Sequence, residues 1–112
     1  MAITDPIARI QSGLSDYCLN SIGWSISGQD LVIELSAPGN NQLRLKLTFI
    51  WATDVDVNLR FENRLMGSPM LWQSSVAADE TTASGYKVMF DFAGAPTGYI
   101  SFSCNQVKLA EI

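Results

Sequence analysis

Leu43-Arg44-Leu45-Lys46-Leu47-Thr48-Phe49-Ile50-Trp51 is the stretch on which the fold turns. Leu43, Leu45, Leu47, Phe49 and Trp51 point one way, while Arg44, Lys46 and Thr48 point the other. That is the period-two pattern of a strand with one buried face. Upstream, Pro38-Gly39-Asn40-Asn41 punctuates the chain, and two more alternating segments precede it. Ile22, Trp24 and Ile26 alternate with Gly23, Ser25 and Ser27; Leu31, Ile33 and Leu35 alternate with Val32, Glu34 and Ser36. The Gly28-Gln29-Asp30 turn between them makes a hairpin.

Downstream, Val55, Val57, Leu59 and Phe61 oppose Asp54, Asp56, Asn58 and Arg60 in a fourth strand with a polar face. A loop from Asn63 to Pro69 leads to a weaker fifth strand, Met70 to Ala77. The Ala-, Ser-, Thr- and acid-rich segment Ala78 to Gly85 reads as an exposed hairpin loop. Tyr86, Val88, Phe90 and Phe92 form a sixth inner face. After the Ala93-Gly94-Ala95-Pro96-Thr97-Gly98 turn, a seventh strand starts at Tyr99 and runs past a phase change near Asn105, read as a bulge, toward Leu109. The opening segment differs: Asp5 caps, Pro6 suits the first helical position and Gly13 can end a short helix, with Ile7 and Ile10 inward. The expected fold is mostly β: an antiparallel β-sandwich or strongly curved sheet of about seven strands with one short N-terminal helix. No repeat, linker or low-complexity run divides residues 1–112, and the length suits a single domain.

Composition narrows the function. The 47% apolar and 16% charged residues suit a globular protein, and no apolar run is long enough to span a bilayer. Met1-Ala2-Ile3-Thr4-Asp5-Pro6 lacks the basic and apolar regions of a secretory leader, which places the expected localisation in the cytoplasm. Cys18 and Cys104 form no CxxC and read as two buried thiols, without zinc or a disulfide framework. A net charge of −4 repels phosphate backbones and anionic headgroups, so neither nucleic acid nor membrane is the expected partner.

Catalytic chemistry finds little to work with. Histidine is absent, which removes the commonest general base and neutral metal ligand. No phosphate loop or nucleophile elbow occurs. Asp54-Val55-Asp56-Val57-Asn58 imitates the first half of a calcium loop, but Leu59 and Leu65 occupy positions where that loop needs Gly and Glu. Asp54 and Asp56 sit two apart on a strand, roughly 6.5 to 7 Å, which overlaps the spacing of inverting glycosidases, though a chain this short rarely builds the sugar-sized cleft. The expectation is therefore no enzyme, no metal and no cofactor. Alternation puts Trp24 and Trp51 in the core and leaves Trp72 ambiguous.

The runs Leu14-Ser15-Asp16-Tyr17-Cys18-Leu19-Asn20-Ser21-Ile22-Gly23-Trp24, Asp30 to Leu35, Leu43 to Phe49 and Val88 to Gly98, with Ile100-Ser101-Phe102 and Cys104, resemble small bacterial β proteins, some described as immunity proteins of polymorphic or contact-dependent toxins. Ser15 stands where a histidine often precedes the aspartate in those look-alikes, and no functional residue is carried over. The resemblance implies a non-catalytic protein-binding module that neutralises a toxin by masking its surface. The expected partner is a basic protein, met by an acidic surface of Asp54, Asp56, Glu62, Asp79 and Glu80. The alternative is a small-ligand or carbohydrate-binding β module, which needs an exposed aromatic row near Trp72, Tyr86 or Tyr99. A homodimer through an open sheet edge is the third reading.

Overall fold

The computed structural model describes residues 5–25, 28–37, 39–60, 70–79, 85–93 and 97–111, excepting the side chains of Asn40, Asn41, Leu59, Arg60, Met70, Trp72, Asp79, Ala93 and Thr97. One helix, α1 (Pro6–Gln11), precedes eight strands: β1 (Cys18–Trp24), β2 (Leu31–Ala37), β3 (Asn40–Ile50), β4 (Thr53–Arg60), β5 (Met70–Asp79), β6 (Gly85–Ala93), β7 (Thr97–Cys104) and β8 (Gln106–Glu111). All pairings are antiparallel, in the order β4-β7-β6-β5-β1-β2-β3-β8. The ladder narrows to a single pair, Cys18 with Met70, between β1 and β5. Beside it, Asp16 N–H donates to the Leu71 carbonyl and Leu71 N–H to that of Tyr17, each at 2.8 Å. That seam divides the strands into two four-stranded sheets, β1-β2-β3-β8 and β4-β7-β6-β5.

The decisive alternation around Phe49 does what a one-faced strand should. Leu45, Leu47 and Phe49 are buried while Arg44 and Lys46 are exposed. Phe49 is fully buried and meets the other sheet edge to face, with its ring centroid 4.6 Å from Phe102 and 6.0 Å from Phe90. Such contacts add about 0.5–1.5 kcal/mol each beyond the burial itself. Val88, Phe90 and Phe92 of β6 are buried as their alternation requires.

Helix α1 begins as its sequence dictates. The Asp5 carboxylate accepts from Ala8 N–H at 3.1 Å, Pro6 occupies the first turn, and Gly13 takes φ +108°, a conformation that a side chain would oppose. The helix packs on β5 and β8. Ser74 Oγ donates to the Ile10 carbonyl and Gln11 Nε2 to that of Val76, both at 2.8 Å, so the helix is tied to β5 while Ile10 enters the core.

Several expectations need correction. The mostly β antiparallel fold with one short N-terminal helix is as expected; among the described residues the strands number eight, because the phase change at Asn105 is a crossing between sheets and not a bulge. Asn105 N–H donates to the Ile50 carbonyl at 2.8 Å, and β8 then pairs with β3 while β7 stays with β4 and β6. Trp24 is 53% exposed, although it lies opposite the buried Leu31. The seam to β5 is at the Cys18 end of β1, so among the described residues no second strand flanks β1 at Trp24. Trp51 is 61% exposed because β3 ends at Ile50 and the turn takes Trp51 out of the alternation. Leu43 is exposed as well, since β8 pairs with β3 only from Leu45 onward. The 63–69 loop and the centre of the 78–85 connection lie outside the described residues, although β5 extends to Asp79 and β6 starts at Gly85.

Candidate functional site

The turn between β3 and β4 carries the chain from one sheet to the other. Trp51 sits there at φ +54°, a left-handed conformation that costs a non-glycine residue about 1–2 kcal/mol. Its backbone is pinned: Trp51 N–H donates to Asp30 Oδ1 and Ala52 N–H to the Gln29 carbonyl, each at 3.2 Å. The small Ala52 side chain is buried, and the large indole beside it faces out. A bulky apolar side chain held in a strained conformation and left exposed is a costly arrangement for stability alone.

Trp51 also borders a cavity of about 260 Å³ with Thr53, Ser103, Cys104 and Asn105. Burial pushes the Cys104 thiol up to about 11, while Cys18 is only half-buried, and both cysteines are free. The Cys104 proton is lost from the unfolded chain near its ordinary value of 9.0 but is retained in the folded chain to about 11. Between those values the unfolded state binds fewer protons, so this group's contribution to stability falls as pH rises. At pH 8 the native protein is expected to react with iodoacetamide at Cys18 and to leave Cys104 unmodified until it unfolds. Peptide mapping of the alkylated protein with and without urea checks this.

From the turn the chain enters β4, the outer strand of its sheet. Asp54 again has φ +54°, and the register slips between Thr53 and Asp56. This bulge leaves both carboxylates exposed. Val55 packs on the core, but Val57 is 48% exposed even though it opposes the buried Ile100, because no described strand covers the far side of β4.

Register assembles the rest of the surface. Asn58, Tyr99, Asp91 and Gln73 are successive partners across β4, β7, β6 and β5, one row on the outer face. Tyr99 Oη donates to Asp56 Oδ2 at 2.8 Å, and Gln73 Nε2 donates to Asp91 Oδ2 at 3.2 Å. The hydrogen bond to Asp56, and then the negative charge of that carboxylate, hold the Tyr99 phenol above its ordinary value. Asp54 and Asp56 are therefore brought to one exposed edge, with Trp51 at its head. Glu62 and Glu80 lie outside the described residues. Asp79 ends β5 opposite Gly85, separated from β4 by β7 and β6, and its side chain is not described.

Asp91 is an acidic member of this face that strand-by-strand reading passes over. Its outward phase between Phe90 and Phe92 was legible, but its place beside Tyr99 depends on the register of β6 with β7. Among the described residues no group of three or more His, Cys, Asp or Glu side chains is arranged to hold a metal ion. No described helix is long and apolar enough to cross a membrane. The chain matches no protein-family model, and no curated protein is detectably similar to it.

Proposed function

We propose that this chain is a non-catalytic protein-binding module of the immunity-inhibitor kind, acting in the cytoplasm, that covers a basic surface of its partner with the β4 edge. The observation that carries this reading is the exposed Trp51 at the head of an outer strand bearing Asp54 and Asp56, with Asp91 on the adjoining face. Each part has a role in association. Tryptophan is among the residues that most often dominate interface affinity, because it removes a large apolar area from water at little entropic cost. The carboxylates steer a basic partner and fix its register. Val57 adds exposed apolar surface on the same strand, and the far side of β4, which pairs with no described strand, offers backbone donors and acceptors to an extended segment.

The test is a capture experiment from lysate of the native cell at low and high salt, followed by titration of the purified partner. The D54K/D56K variant should stay folded with a modestly lowered melting temperature, since both side chains are exposed but Asp54 sits at φ +54° and Asp56 accepts from Tyr99. It should bind the partner at least about a hundredfold more weakly, because like charges would then face each other. Unchanged affinity and unchanged salt dependence in that variant would rule out the acidic-edge mode.

A further inference from the structure

We propose that the β4 edge takes its partner as an added strand, an extended segment in which basic and apolar side chains alternate. The inference rests on the protein-binding reading above and narrows it to one kind of partner element. Asp56 and Val57 are neighbours on β4 but belong to opposite faces of the sheet. Val57 pairs with the buried Ile100 and so has the phase of the core, whereas Asp56 pairs with Ser101 and accepts from Tyr99 on the outer face. A helix or a folded surface laid on either face would meet only one of the two. A strand lying beside β4 in the plane of the sheet reaches both, because its own side chains alternate between the same two faces.

The backbone points the same way. β4 is the last strand in the order, so alternate N–H and C=O groups on its far side bond to no described strand. From Asp56 to Arg60 its register with β7 is unbroken, whereas it slips between Thr53 and Asp56. The regular run spans roughly 17 Å at about 3.4 Å per residue, the length of an ordinary strand. The side chains then set the pattern of the incoming segment. Beside Val57, which is 48% exposed, an apolar residue completes the cover over the rim of the core. Beside Asp56 a Lys or Arg meets a carboxylate that Tyr99 already holds, and beside Asn58 a polar residue suffices. Recognition therefore depends on the order of basic and apolar residues in the segment and not on its net charge alone.

The probes are two blocked heptapeptides of one composition, Lys-Val-Lys-Val-Lys-Val-Lys and Lys-Lys-Val-Val-Val-Lys-Lys, each titrated into the isotope-labelled full chain and followed by two-dimensional amide NMR. The alternating peptide should shift the amides of residues 56–60 saturably, with a dissociation constant in the millimolar range or tighter. It should bind at least about tenfold more tightly than its isomer. Val57→Glu sets the two modes of binding against each other. A further negative charge strengthens the attraction of a cationic peptide if charge alone governs binding, but it removes the apolar contact that an added strand needs. The alternating peptide should therefore bind this variant about fivefold more weakly or worse, and Val57→Thr, which keeps strand propensity, should shift affinity in the same direction. Equal affinity for the two isomers, tighter binding by the Val57→Glu variant, or no saturable shift with either peptide would overturn the proposal. With the captured partner, binding lost in D54K/D56K but unchanged in Val57→Glu and Val57→Thr would overturn the added strand and leave the acidic edge standing, so the two readings fail separately.

Discussion

Phe49→Ala is expected to destabilise the protein by about 3–5 kcal/mol. Phe49 is fully buried and reaches Phe90 and Phe102 across the interior, so its removal leaves a cavity where the two sheets meet. Small domains have total stabilities of about 5–15 kcal/mol, so the variant should sit near the edge of folding. Urea unfolding followed by circular dichroism measures this as a lowered midpoint at constant slope. Leu43→Ala in the same strand should cost less than about 1 kcal/mol, because that side chain is already 39% exposed. Equal losses at the two positions would show that the Phe49 contacts do not hold the sheets together. The milder F49L and F102L changes allow a double-mutant cycle, with an expected coupling of about 0.5–1.5 kcal/mol.

Replacement of Trp51 should separate stability from binding. At φ +54° alanine suffers the same steric conflict as tryptophan, whereas glycine does not. Trp51→Gly should therefore be more stable than Trp51→Ala by about 1 kcal/mol, the reverse of the order expected within a regular strand. Both changes remove the exposed indole, and both should weaken partner binding by at least about 2 kcal/mol, or roughly thirtyfold. Melting curves give the first comparison and titration calorimetry with the purified partner the second. If both variants bound as wild type, Trp51 would not be the anchor. If alanine were the more stable substitution, the turn would not hold the left-handed geometry in solution.

The two tryptophans show where linear reading stops. In the alternation Trp24 belongs with Ile22, and Trp51 with Phe49, so both read as core. Alternation specifies which side of its own strand a residue occupies, and it carries no information on whether another sheet lies over that side. β1 meets β5 only at Cys18, and β3 ends at Ile50, so each tryptophan falls beyond the cover that Phe49 and Ile33 enjoy. Asn105 shows the same limit in another form. A break in phase marks a backbone irregularity, but a bulge and a change of sheet look alike until the partner strand is known.

What the sequence by itself determined is local and short in range. The cap at Asp5, the left-handed turn at Gly13, the buried faces of β2, β3 and β6 and the acidic outward face of β4 all follow from contacts within a few residues or from a period of two. The β-rich class follows in turn, because elements with one apolar face must cover it. Tertiary structure alone decided which strands are neighbours, and with it the site. It brought Asn58, Tyr99, Asp91 and Gln73 into one row, placed Asp56 against Tyr99, and lined up Ser21, Glu34 and Lys46 across β1, β2 and β3. These residues are separated by tens of positions along the chain, and their meeting depends on strand order and register, which are set by the packing of the whole core around Phe49.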